Sequence, residues 1–394
     1  MNEDHNKVLL FPRRRVRDPR RVAEFRETGR QLRLEHESAE DLVSRVLRET
    51  PRGAWRFLAG RVELRTSGAL QALSREIDTR LDRDPLEALG IAELSLAIAA
   101  MLQDEYPCIT LAQISSTAWK DHGQALCYLG RYEEGLKSLD RAAADLATHG
   151  ALAHDQAIVS FVRATALQHL RRFDEAEAIL AECVAVFRAH DDTRLYSKCT
   201  LAQGNLYVRR GDYPAAREIL TPLLAGDPAF VPIARMALGW CAIHGGDADA
   251  AWTHFIEAAR GLRRLGREME AVRSLYGAAS ALLHLGRFED AVSEFRATRH
   301  RFLKRGLIEE AGLCGLGVVE AQIVLGAVDE ARNLAETLVH EFSRAGLDRR
   351  AVAALAYLKD AIAASSATPE VVRNVHAYID ALRTDPTLEF TLPN

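Results

Sequence analysis

A chain of 394 residues, 48% of them hydrophobic, can bury an extensive core, and its length alone would suggest two or three domains. Its 51 basic and 55 acidic residues nearly cancel, leaving a net charge of −4 that excludes a polyelectrolyte surface built for nucleic acid. Six cysteines (108, 127, 183, 199, 241 and 314) are scattered without a C-x-x-C pair, and no 18-residue apolar run or signal-peptide core is present. The expectation is a cytoplasmic protein with reduced cysteines, no metal and no membrane segment.

Residues 1–37 form a polar, Arg-rich arm. Its cluster Arg13-Arg14-Arg15-Val16-Arg17-Asp18-Pro19-Arg20-Arg21 is broken by proline and aspartate, and reads as solvated rather than as a nucleic-acid contact. From 38 to 109 the pattern is helical. Ser38-Ala39-Glu40-Asp41 is a capping-box candidate, and Leu42, Val43, Val46 and Leu47 follow on one apolar face. Leu70 to Leu81 predicts one helix. Asp84-Pro85 starts another, whose Leu89, Ala92, Leu96 and Ala99 make a stripe, so the two together read as a degenerate hairpin.

Between 110 and 346 one phrase recurs six times: a helical run, a turn, an aromatic or small apolar residue, and a small residue three positions later. The copies include Leu129-Gly130-Arg131-Tyr132-Glu133-Glu134-Gly135, Arg210-Gly211-Asp212-Tyr213-Pro214-Ala215-Ala216 and Leu285-Gly286-Arg287-Phe288-Glu289-Asp290-Ala291. Turn residues 130, 171, 211, 246, 286 and 326 stand 41, 40, 35, 40 and 40 apart. A fixed period of this size is the signature of stacked helix hairpins. A second series of turns, at Gly150, Asp191-Asp192, Gly226-Asp227, Gly266, Gly306 and Gly346, separates the copies, so each is a helix A, a turn and a helix B. The third copy is short, and Pro222, Pro228 and Pro232 predict a local change of curvature there. Residues 347–394 predict two capping helices, 348–364 and 369–383, and a tail.

These residues resemble the tetratricopeptide repeat (TPR) family. The first copy supplies Trp119, Gly123, Leu126, Gly130, Tyr132, Leu139 and Ala142, and later copies supply Gly204, Tyr207, Gly211, Asp212, Tyr213 and Ala216, then Gly239, Gly246, Asp247 and Ala251. The period of 40 departs from the family's 34 and is similar to longer variants in bacterial regulatory proteins. The stretches Phe302-Leu303-Lys304-Arg305-Gly306-Leu307 and Tyr378-Ile379-Asp380-Ala381-Leu382-Arg383 also resemble bacterial stand-alone TPR proteins without an assigned activity. The resemblance implies an all-α, right-handed superhelical solenoid of antiparallel helix hairpins whose A helices line a concave groove.

On that implication, the repeat phase selects the groove residues. Steps of four along helix A give Lys120, Phe161, Leu201, Met236 and Tyr276, then Gln124, Thr165, Asn205, Trp240, Ser280 and Glu320, then Tyr128, His169, Arg209, His244 and His284. The candidate partner-binding residues are Lys120, Gln124, His169, Asn205, Arg209, Trp240, His244, Tyr276 and His284, with Trp240 and Tyr276 as anchors. Histidines on successive hairpins would lie about 10 Å apart. That is too far to share one ion through bonds of about 2.0–2.1 Å. No P-loop, G-x-S-x-G, H-E-x-x-H or G-x-G-x-x-G in a strand–helix setting supports catalysis or a cofactor. The expected function is therefore non-enzymatic: a scaffold or adaptor binding a protein or peptide. The alternative is a regulatory protein whose response to a ligand or peptide controls a transcriptional or signalling partner. Oligomeric state stays open.

Overall fold

The computed structural model describes residues 30, 38–81, 83–102, 106–147, 152–382 and 388–390. The expectations for the Arg-rich cluster, the turn at Gly150 and the end of the tail lie outside the described residues. The chain divides into two compact units, Met1–Tyr196 and Ser197–Asn394. Among the described residues every regular element is helical.

In the first unit, helix α1 (38–49) leads into two 3-10 segments, Arg52–Gly60 and Val62–Leu64. Helices α2 (Ser67–Arg80), α3 (Pro85–Ala99), α4 (Cys108–Tyr128), α5 (Tyr132–Ala147), α6 (Ala153–His169) and α7 (Phe173–Ala189) follow. Helix α8 (Thr193–Arg210) carries the chain into the second unit. There α9 (Tyr213–Leu220) gives way to a 3-10 segment, Thr221–Ala225, because Pro222 cannot donate the next helical hydrogen bond. Helices α10 (Val231–His244), α11 (Ala248–Arg264), α12 (Glu268–His284), α13 (Phe288–Leu303), α14 (Ile308–Val324), α15 (Val328–Arg344), α16 (Arg349–Ala363) and α17 (Pro369–Leu382) complete it.

The A–B turns are closed by backbone conformation and by the first residues of helix B. Gly130, Gly211, Gly246, Gly286 and Gly326 all hold φ between 71° and 78°, which a residue without Cβ adopts freely. Arg171 occupies the same position at φ 59° and carries the cost of a left-handed side-chain-bearing residue. Where an aspartate follows the turn glycine, it caps helix B: Asp212 accepts from the Ala215 N–H at 3.2 Å and Asp247 from the Ala250 N–H at 3.0 Å. Where an arginine stands there, it pairs with an acid three residues on, as Arg131 with Glu134 at 2.6 Å and Arg287 with Asp290 at 2.7 Å.

Small residues set the distance between helices. A Cβ added to Gly123 would meet the Gly135 carbonyl oxygen at 2.9 Å, so α4 and α5 touch backbone to backbone. In the second unit Gly239 and Gly277 form a slot on either side of the Phe255 ring, with a Gly239 Cβ meeting that ring at 2.8 Å. The largest fully buried side chains include Phe187, Phe255, Phe295, Phe302 and Phe342, all on B helices. The turn aromatics are only half-buried. They stack on the next hairpin: Tyr132 lies parallel to His169 at 4.7 Å and Tyr213 to His244 at 4.2 Å.

Candidate functional site

The nine sequence-selected residues fall into the two units in different environments. In the first unit Lys120 does not project freely as the groove reading expected. Its ammonium lies 2.5 Å from the Asp121 carboxylate, whose residue is 1% exposed. Burial draws the Lys120 amine down, but Asp121 and the more distant Asp78 of α2 outweigh it and hold the pKa above the ordinary lysine value. The reason lies in the long aliphatic stem, which lets a lysine at a surface-facing register bend back to a neighbouring buried acid. Gln124 is half-buried, and His169 is exposed with its ring face covered by Tyr132.

In the second unit Asn205 is half-buried and Arg209 exposed, both on α8. Helices α10 and α12 bring four of the selected residues together. Trp240 packs edge-on against Phe255 with ring centroids 5.1 Å apart, and lies 6.0 Å from Tyr276 on the next A helix. His244 stands four residues beyond Trp240 on α10 and His284 eight beyond Tyr276 on α12, both exposed. Burial lowers the pKa of His244, and the neighbouring His284 lowers it further. Burial likewise lowers His284, with Arg373 adding to the effect. The face at neutral pH is thus aromatic and imidazole-rich with its histidines neutral, suited to apolar contact and to directional hydrogen bonds. Among the described residues no group of His, Cys, Asp and Glu is arranged to hold a metal ion.

The face has members that the repeat phase alone could not supply. Tyr276 hydrogen-bonds through its hydroxyl to Nε2 of His376 on α17 at 2.8 Å, and the two rings lie 6.3 Å apart at 23°. Arg373, also on α17, donates to Glu320 of α14 at 3.1 Å. Burial raises the Glu320 carboxyl above its ordinary value, with Arg373 pulling the other way. Glu320 was selected by phase. His376 and Arg373 belong to a helix read as a cap, and its amphipathic spacing says that one face is buried without saying against which helix.

Residues 201–265 match the family model of the tetratricopeptide repeat. No curated protein matches the sequence. Among solved structures, the chain is similar to a Signal Transduction ATPase with Numerous Domains (STAND) protein with a tetratricopeptide repeat sensor from Pyrococcus horikoshii, at 14% identity and a TM-score of 0.55. The match covers 83% of this chain and 54% of that one, so the chain spans about half the length of that protein. It is similar to aspartyl phosphate phosphatase F from Bacillus subtilis at 12% identity and a TM-score of 0.50, covering 80% of this chain and 85% of the other. The apo quorum sensor NprR from B. thuringiensis aligns at 13% identity and a TM-score of 0.49, over 79% and 97% of the two chains. At these identities the likeness is one of fold. Among the described residues no helix is long and apolar enough to cross a membrane.

Proposed function

We propose that this chain, a member of the tetratricopeptide repeat superfamily, is a non-enzymatic interaction module that recognises a protein partner through the A-helix face of its second unit. The observation that carries the reading is the paired row on α10 and α12. Trp240 and Tyr276 form a half-buried aromatic floor, and His244 and His284 stand exposed beside it. Rings already packed on one side lose little conformational freedom when a partner covers the other, which is what makes aromatic residues effective anchors. Lys120 and Gln124 are left out of the proposed surface because Lys120 is engaged with the buried Asp121 of its own unit.

The exposed histidines give the cleanest test. Capture of partner proteins by the full chain, followed by mass spectrometry, is compared with capture by His244→Ala/His284→Ala. The expected result is loss of a specific partner with cooperative unfolding retained, stability falling only by the lost Tyr213–His244 stack, about 0.5–1.5 kcal/mol. Retention of every partner by the double variant would refute the surface. A regulatory role in a transcriptional or signalling assembly is favoured over a passive scaffold by the engagement of Tyr276 and Glu320 by the chain's own α17.

A further inference from the structure

The last helix breaks the pattern of the array. In the regular hairpins helix B packs on its own helix A and on the A helix that follows, as α11 does on α10 and α12. Helix α17 follows α16 in the B position, yet it packs more extensively on α14, the A helix of the previous hairpin, than on α16. It buries Val372, Val375, Ile379 and Leu382, a single stripe at i, i+3, i+7 and i+10. Its polar side chains reach Tyr276 and Glu320, two of the groove positions that the repeat phase selects, the first of them a candidate partner-binding residue. A helix thus already lies on part of the recognition face.

We infer that the natural partner of this face is itself an amphipathic helix with the side-chain pattern of α17, and that α17 is its internal competitor. The inference rests on the proposed reading of the A-helix face as the recognition surface. The pattern is explicit in the contacts: an aliphatic residue at i, a basic residue at i+1 for Glu320, an aliphatic at i+3, a hydrogen-bonding side chain at i+4 for the Tyr276 hydroxyl, and aliphatics at i+7 and i+10. In α17 these are Val372, Arg373, Val375, His376, Ile379 and Leu382.

The size of α17 makes it displaceable. At 14 residues it is at the length where an isolated helix is marginal in water, so undocking and unwinding proceed together. Its covalent attachment gives it an effective concentration on the order of millimolar. A partner helix must therefore make contacts that α17 lacks, and Trp240, His244 and His284 on the adjoining face are in place to supply them. At its far end α17 is held by a hydrogen bond from the Tyr378 hydroxyl to the Leu388 carbonyl at 3.2 Å and by Phe390 packed on Tyr357 and Tyr378.

The probe is a fluorescently labelled synthetic peptide spanning Thr368–Arg383, added to the full chain and to the full-length variant Arg373→Ala/His376→Ala. The peptide should bind the variant about ten-fold or more tightly than the wild type, because the tethered competitor is weakened while the face is intact. Adding Tyr276→Phe to the variant should then weaken peptide binding again. Equal binding to both chains, or no binding to either while their helical circular dichroism is unchanged, overturns the inference. If the variant does not fold, hydrogen exchange on the wild type decides: α17 amides must exchange faster than those of α16, and equal protection overturns it. The underlying reading fails separately. If the peptide competes with α17 but His244→Ala/His284→Ala keeps every partner, the recognition surface is wrong and the competition stands. If that variant loses its partner but the peptide shows no competition, only the helical-partner inference falls.

Discussion

The A-helix faces of the two units use the same repeat register for opposite ends. In the first unit the register position of Lys120 is drawn inward to the buried Asp121, while Trp119 is held against His122 and under Arg141. In the second unit the equivalent position is Tyr276, which stays on the face and hydrogen-bonds to another helix at 2.8 Å. Phase therefore decides which side of the helix a residue leaves from. Reach and neighbouring charge decide where its functional end arrives.

The largest expected effect breaks the first side of that comparison. Lys120→Met should destabilise the chain by about 3–5 kcal/mol, because it leaves the carboxylate of Asp121, 1% exposed, without its counter-ion. Among the described residues Oδ1 of Asp121 has no hydrogen bond to replace that contact. Urea unfolding of the variant measures the loss. A change below about 1 kcal/mol would mean that Lys120 is a surface residue after all, and would return it to the recognition face.

Much of this architecture is legible in the sequence. The turn series at 130, 171, 211, 246, 286 and 326 marks the A–B turns, five of which have glycine at positive φ, and the small residues 123, 135, 204 and 239 mark the close helix contacts. Trp240, Tyr276, His244 and His284 were selected by phase alone and lie on one face. Three things escaped. The buried Phe187, Phe255 and Phe342 of the B helices stand outside the repeated phrase, whose turn aromatics are more regular in sequence although only half-buried. Trp55, buried and bonded through its indole N–H to the Thr50 carbonyl at 3.0 Å, sits in a 3-10 segment with no helical periodicity to reveal it. The docking of α17 depends on long-range pairing, which a local pattern does not encode.

A smaller effect sharpens the second unit's side. Gln322 stands where the other copies have Leu126, Leu167, Tyr207, Ala242 and Leu282, four residues before the turn. It is 4% exposed, and its Oε1 has no hydrogen-bond partner among the described residues. Gln322→Leu restores the apolar repeat residue at similar volume and should raise stability by about 1–2 kcal/mol, since an unpaired buried acceptor carries a desolvation cost of that order. Thermal unfolding checks it. A destabilised variant would show that this amide is satisfied in solution, and that the second unit uses buried polarity as the first does.

The mildest test is pH, and it acts on the contact between α17 and the A-helix face. Burial lowers the pKa of His376, with Asp380 on the same helix opposing, so docked His376 stays neutral below the ordinary histidine value of 6.5. Undocked, it would titrate at that ordinary value and bind more protons than the docked form throughout the interval between the two. The contribution of His376 to docking is therefore complete above 6.5 and declines as the pH falls through 6.5 toward the docked value. Glu320 acts with the opposite sign: its raised pKa means that the docked form holds a proton over an interval above the ordinary carboxylate value of 4.5, so it favours docking as the pH falls through that interval. Hydrogen exchange in α17, corrected for intrinsic rates, should speed up just below 6.5 and level off where Glu320 takes up its proton. His376→Asn should remove the first phase and Glu320→Gln the second. A wild-type profile that is flat across both intervals would mean that neither side chain changes environment when α17 moves. The Tyr276–His376 contact would then be a passive part of the cap, and the second unit's face would be no more responsive than the buried charges of the first.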